Sequence, residues 1–194
     1  MKTKHFFLIF ILTFTVLPLS AQNANTESRV IKAAGYSVDL FPAALSAVDK
    51  KPGYSFQAWA GFDHIKMRIV AAHLYQPDRL IDDTFQNYEM NVTAFILDYF
   101  FSENLTGLWI GTGAELWNCS IENRSSGSTA EWTDNILTAG AGYVWKFTDS
   151  VYLDPFAAVH YRMNDGKVIT GGEEFKRLRV SASASIKIGY MFNL

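Results

Sequence analysis

Apolar and polar residues alternate with a period of two along most of this chain. In the last stretch Val180, Ala182, Ala184, Ile186, Ile188, Tyr190 and Phe192 fall on one face, and Arg179, Ser181, Ser183, Ser185, Lys187, Gly189 and Met191 on the other. The stretch before it sets Val151, Leu153, Pro155, Ala157, Val159, Tyr161 and Met163 against Tyr152, Asp154, Phe156, Ala158, His160 and Arg162. Ile65, Met67 and Ile69 likewise oppose Lys66 and Arg68. This period marks strands with two different faces. It predicts eight of them, near residues 36–48, 53–62, 65–75, 88–100, 107–121, 131–146, 150–163 and 178–192. Many are long enough for the ~9–11 tilted residues with which a β-strand crosses a bilayer.

The connections alternate too. Gly61 to His64, Phe101 to Gly107 and Phe147 to Ser150 are tight, whereas Gln76 to Asn87, Glu122 to Ala130 and Asn164 to Arg177 are longer and polar. Only Asp49 to Pro52 breaks the alternation. Short turns on one side and long loops on the other are the layout of bacterial outer-membrane barrels, and an even strand count puts both termini on the short-turn side.

The N-terminal residues add a compartment. Lys2 and Lys4 precede an apolar run from Phe6 to Leu17, which Pro18 breaks before the small residues of Leu19-Ser20-Ala21. That order is a secretory signal, with cleavage expected after Ala21. Residues 1–21 are therefore read as a signal peptide, 22–34 as a periplasmic N-terminal segment and 35–194 as the barrel. The longest later apolar stretch, Val92 to Phe101, is short and contains Asp98. A membrane location then demands a closed barrel, because lipid offers no water to an open sheet edge. The expected fold is all-β, a closed antiparallel up-and-down transmembrane barrel of about eight strands, in the bacterial outer membrane.

Alternation alone does not say which face is outside, since a soluble barrel would bury the apolar one. Three features choose the membrane. The polar face is small, with Ser181, Ser183, Ser185, Gly189, Gly111, Gly113, Gly140 and Gly142, as a crowded eight-stranded interior requires. Aromatic residues, 15% of the chain, gather toward strand ends, as interfacial girdles do. The third is the ending Lys187-Ile188-Gly189-Tyr190-Met191-Phe192-Asn193-Leu194. It resembles the C-terminal signal read by the outer-membrane barrel assembly machinery, through Lys187, Gly189, Phe192 and Leu194. With that motif and layout, residues 30–194 resemble small eight-stranded outer-membrane proteins of the OmpA-barrel, OmpX and OmpW type, without a motif that selects a subfamily. The resemblance implies assembly-machinery contact through the last strand, outer-membrane lipid and lipopolysaccharide as surroundings, and a monomer.

Candidate chemistry lies on the polar face, which carries Asp39, Lys66, Arg68, Glu89, Glu115, Asp154, His160, Arg162, Arg179 and Lys187. Eight strands leave room for side chains rather than a channel, so these residues are expected to form a paired ionic network that fills the lumen; the alternative is an ion path or proton-linked switch around His160. Asp98 falls on the apolar side of its strand unless a bulge shifts the register, and Pro42 and Pro155 each remove a ladder donor. The pattern of a lipid A deacylase, a His-x-Ser pair, is absent from the contexts of His5, His64, His73 and His160. His73, with Tyr75, Asp78, Asp82 and Asp83 nearby, is the remaining catalytic candidate. Asp82-Asp83 and Glu173-Glu174 are read as solvated loop charge, and Arg124, Lys167, Lys176, Arg177 and Arg179 as potential phosphate contacts. Cys119 is the only cysteine, which excludes an intramolecular disulfide, and no basic run points to nucleic acid. No cofactor or metal is expected. The expected function is a non-enzymatic outer-membrane barrel with a structural, membrane-integrity or surface-interaction role. Its alternatives are a narrow channel for small solutes, an outer-leaflet lipid-modifying enzyme and a soluble periplasmic barrel.

Overall fold

A computed structural model describes residues 31–194. The expected signal peptide, 1–21, and most of the expected N-terminal segment lie outside the described residues. The barrel strands are β1 (Ala33–Asp39), β2 (Tyr54–Phe62), β3 (Ile65–Gln76), β4 (Phe85–Phe100), β5 (Gly107–Asn123), β6 (Thr129–Lys146), β7 (Val151–Arg162) and β10 (Val180–Asn193). Each pairs antiparallel with its neighbours, and β1 pairs with both β2 and β10 to close the barrel. Following directly paired residues once round from Ala182 returns to the same strand at Phe192, ten residues along. This stagger is the shear that tilts the strands.

One expected element changes identity. The first strand was expected over 36–48, but β1 stops at Asp39 and Leu40–Asp49 form a helix, α1. Asp39 is its N-cap, accepting the Phe41 N–H at 3.0 Å. Pro42 lies in the first turn, where a missing N–H removes no helical bond, and alanines fill much of the rest. The helix ends at Lys50, in the left-handed region (φ 55°), whose N–H donates to the Ser46 carbonyl. Because β1 is short, β10 pairs with β7 alone from Val180 to Ile186, and α1 stands where β1 would have continued.

The long connection between β7 and β10 carries a hairpin, β8 (Val168–Thr170) and β9 (Glu173–Phe175). Gly171 and Gly172, both at positive φ, make the two-residue turn that such a hairpin favours. The hairpin folds over the ends of β4, β5 and β6. Phe175 packs on Phe85, Tyr88 and Trp132, and Val168 joins a buried cluster with Ile121.

The outward surface is apolar over a band. On β5 it runs through Leu108, Ile110, Thr112, Ala114 and Leu116 before reaching Asn118. At the short-turn end exposed aromatics gather: Tyr36, Tyr99, Phe101, Tyr143, Trp145, Phe147 and Phe192. Four aromatics near strand ends, Tyr88, Trp109, Trp117 and Trp132, point inward. Inward glycines make room for such rings. A Cβ on Gly142 would stand 2.6 Å from the Trp109 ring, on Gly35 2.6 Å from Trp59, and on Gly189 2.3 Å from Tyr152. Pro155 needs no bulge: pairing between β6 and β7 lapses beside it and resumes in the same register at Leu153.

Candidate functional site

The lumen has two unlike halves. Toward the short turns it is packed. Arg68 on β3 holds Asp98 on β4 through Nε (2.8 Å) and Nη2 (3.1 Å), and Lys66 Nζ lies 3.4 Å from the same carboxylate. Arg68 also donates to Gln57, which donates to Ser37 at 2.5 Å. Opposite, Lys187 pairs with Asp154 at 2.9 Å, and Trp109 donates to the other oxygen of Asp154 at 2.8 Å. Three cations thus meet two carboxylates. Aromatic faces help to offset the excess positive charge: Lys66 Nζ lies 4.9 Å from the Phe100 ring centre and Lys187 Nζ 4.1 Å from that of Phe156. Trp59 and Tyr152, hydrogen-bonded at 2.9 Å, complete the layer.

Asp98 is a correction to the sequence reading. It points into the lumen with no bulge, because Val92, Ala94 and Ile96 on the same face are also inward and buried. On β4 the inward face is itself largely apolar, so polarity misidentified it.

Toward the long loops the expectation of a side-chain-filled lumen fails. A cavity of about 1010 Å³ opens there, lined by Val70, Ala72, Val92, Ala94, Ile96 and Ile136 among others. Polar groups stand on its opposite wall. His160 Nε2 lies 2.9 Å from Ser183 Oγ, and its Nδ1 lies 3.4 Å from Glu115 Oε1. Trp117 donates to Glu115 Oε2 at 2.6 Å. Arg162, on the same face of β7 as His160, reaches the Arg177 carbonyl through Nη2 alone. Phe41, Pro42 and Leu45 of α1 border the cavity.

The cavity also turns sideways. It is lined by Ser181, Ser183 and Ser185, which point inward, and by Ala182 and Ala184, which point outward. It therefore passes round the free edge of β10, beside α1. A second depression, on the outer face of β6, β7 and β10, shares Gly140, Ala158, Ala182, Ser183 and Ala184 with it.

Of the other expected lumen residues, Asp39 and Arg179 line the cavity at its margins and Glu89 does not. Glu89 shares the face of Asn91 and Thr93, the outward one. One extra β4 residue between Gln86 and Glu89, a bulge, shifts its register there. Arg179 sits at the rim, over the Tyr161 ring and paired with Asp165. Asp39 stands at the foot of α1, where it also accepts the Ser185 hydroxyl.

The remaining candidates have structural partners. His73 Nδ1 lies 2.9 Å from Asn91 Oδ1 and its ring faces Tyr54, with no carboxylate in place to orient it. Arg177 pairs with Asp134, Lys167 with Glu174, and Arg124 donates to the Asp83 and Phe85 carbonyls. Asp82 accepts the Thr84 N–H. Among the described residues no His, Cys, Asp and Glu cluster could hold a metal. Cys119 is buried, with the Tyr88 hydroxyl 3.9 Å from its sulfur. Phe192 and Leu194 are exposed, whereas Lys187 and Gly189 are buried.

No protein-family model and no curated protein matches the chain. Its fold does match solved outer-membrane barrels. The N-terminal β-barrel domain of Pseudomonas aeruginosa OprF aligns over 84% of this chain and 98% of its own, at 13% identity and a TM-score of 0.53. Neisserial surface protein A covers 84% of this chain and 92% of its own, at 16% identity and a TM-score of 0.44. The chain is thus a closed eight-stranded antiparallel barrel with the fold of the OprF barrel domain.

Proposed function

We propose that this is an outer-membrane barrel that holds an apolar-chain molecule in the long-loop half of its lumen, reached from the side of the wall. The apolar outward band supports the membrane location: Leu108 to Leu116 on β5 is a nine-residue stretch, close to what a tilted strand needs to cross. The single observation behind the binding role is the cavity of about 1010 Å³, closed below by the packed ionic layer and open beside the edge of β10. It has the size and the largely apolar lining of a small-molecule site. In hydrocarbon an unpaired strand edge is costly, so a wall opening there calls for an occupant or for water.

The packed layer supports a second, structural role in holding the barrel rigid, and it opposes a channel, since Lys66, Arg68 and Trp109 stand across the path. The exposed Phe192 and Leu194 suit recognition of the last strand during assembly, and Lys176 at the long-loop end suits contact with lipopolysaccharide phosphate. The test is titration of the full chain in detergent with a fluorescent long-chain fatty acid. Saturable binding, weakened at least ~10-fold by Ile136→Trp, is expected, as are planar bilayers without conductance steps. Absence of binding, or affinity untouched by Ile136→Trp, would overturn the reading, and discrete steps would favour the channel.

A further inference from the structure

Ser183, His160 and Glu115 come from β10, β7 and β5. Sequence separation hides their relationship, since they meet only when the barrel closes. A carboxylate at Nδ1 of His160 favours the proton on that nitrogen and leaves Nε2 to accept from the Ser183 hydroxyl, 2.9 Å away. Glu115 is in turn oriented by the Trp117 indole. A hydroxyl, a base and a carboxylate that orients the base make up an activated nucleophile. His160 Nδ1 makes no hydrogen bond in this structure, with Glu115 Oε1 standing 3.4 Å away; catalytic contacts often tighten only once substrate binds.

Two further observations distinguish this constellation from a packed polar core. Ser183 is exposed, and it lines both the lumen cavity and the outer depression, at the strand edge where the two meet. Arg162, two residues along β7 from His160, borders the same cavity with Nε and Nη1 buried and without a hydrogen-bond partner. Buried donors are normally satisfied, so this guanidinium edge fits an anionic group on a ligand. The ladder also helps. Arg162 N–H donates to the Arg179 carbonyl, and antiparallel alternation from that bond turns the N–H groups of Ala182 and Ala184 away from β7, toward the open side.

We propose that Ser183, His160 and Glu115 form a hydrolytic centre for long-chain carboxylic esters whose alcohol part carries an anionic group. The proposal rests on the reading of the upper lumen as an acyl-chain pocket. Ser183 Oγ attacks the ester carbonyl carbon while His160 Nε2 takes the hydroxyl proton. The tetrahedral adduct expels the alcohol oxygen, which receives that proton, leaving the acyl group on Ser183. Water then gives its proton to His160 and adds to the acyl carbon. Ser183 departs, recovers the proton, and the carboxylic acid is released. Overall, ester and water become acid and alcohol. Glu115 is a positioning residue, and Arg162 binds the anionic group.

The test uses the full chain in detergent. An alkyl fluorophosphonate should add once, at Ser183. Fatty acid should be released from phosphatidylglycerol faster than from phosphatidylcholine. Ser183→Ala and His160→Ala should each lower release at least ~100-fold. Glu115→Gln should slow both labelling and release while the unboiled protein keeps its folded gel mobility, and Arg162→Gln should remove the preference for the anionic lipid. A folded Ser183→Ala variant that still binds the fluorescent fatty acid and still releases product at the wild-type rate would overturn the hydrolytic centre and leave the pocket standing. Loss of acyl binding in the wild type would overturn the pocket itself.

Discussion

Arg68 grips Asp98 with two near-parallel hydrogen bonds across adjacent strands, and both side chains are almost wholly buried. Lys66 shares the same carboxylate. Removing it would leave two cations facing Trp109 and Phe100 without their anion. Asp98→Asn should therefore destabilise the barrel by ~3–5 kcal/mol. The temperature at which the folded band disappears on unboiled gels should fall. A variant as heat-resistant as the parent would show that this carboxylate is dispensable.

Gly189 is open to two accounts, as part of the C-terminal assembly signal and as the seat of the Tyr152 ring. A methyl group there would approach the Tyr152 Cζ to 2.3 Å and its hydroxyl oxygen to 2.4 Å. Overpacking of this kind costs ~1–3 kcal/mol, so Gly189→Ala should reduce stability. Shrinking Tyr152 to leucine in the same chain should restore it if packing is the reason. No rescue, combined with poor insertion in cells, would assign Gly189 to recognition instead.

Asp39 joins the barrel to α1. Asp39→Ala removes the cap on Phe41 N–H and the Ser185 contact. Loss of such a cap costs ~1 kcal/mol, and the first turn of α1 should fray. Amide exchange at residues 40–44 should speed up while that of β5 stays slow. Equal exchange in parent and variant would mean that the helix is held by its apolar contacts alone.

The long-loop end should respond to acid through Asp78. Partial burial acts to raise its pKa, but the Asn87 N–H (3.0 Å) and Lys51 (3.4 Å) outweigh it, and the carboxyl sits below its ordinary value. A depressed folded pKa means that the stabilisation is present above the unfolded value, ~3.9. It is lost as pH falls through the folded value. Protease cleavage in the β3–β4 connection should therefore rise as pH drops below about 4, and Asp78→Asn should flatten that dependence.

Most of the barrel was legible because period-two patterning survives wherever a strand has one lipid-like face. Seven of the eight strands lie within a few residues of their expected places. α1 escaped because Val38, Leu40 and Pro42 continue the alternation into a stretch whose alanines and Asp39 cap favour a helix. Asp98 was misplaced because its neighbours Ile96 and Ala94 point inward with it. The Ser183–His160–Glu115 grouping could not be read from spacing at all. His160 and Ser183 sit diagonally on adjacent strands, and Glu115 reaches them across β6, so pairing register and shear must be known before the three can be brought together.

The shortness of β1 also bears on how the molecule is made. Seven residue pairs join it to β10, against eleven between β10 and β7. Those seven link segments about 150 residues apart, and contacts of such long range are slow to form. The ring can thus be completed only after the last strand has been laid down. The two seams of β1, six pairs to β2 and seven to β10, have the fewest to separate, so thermal breathing should begin along this strand.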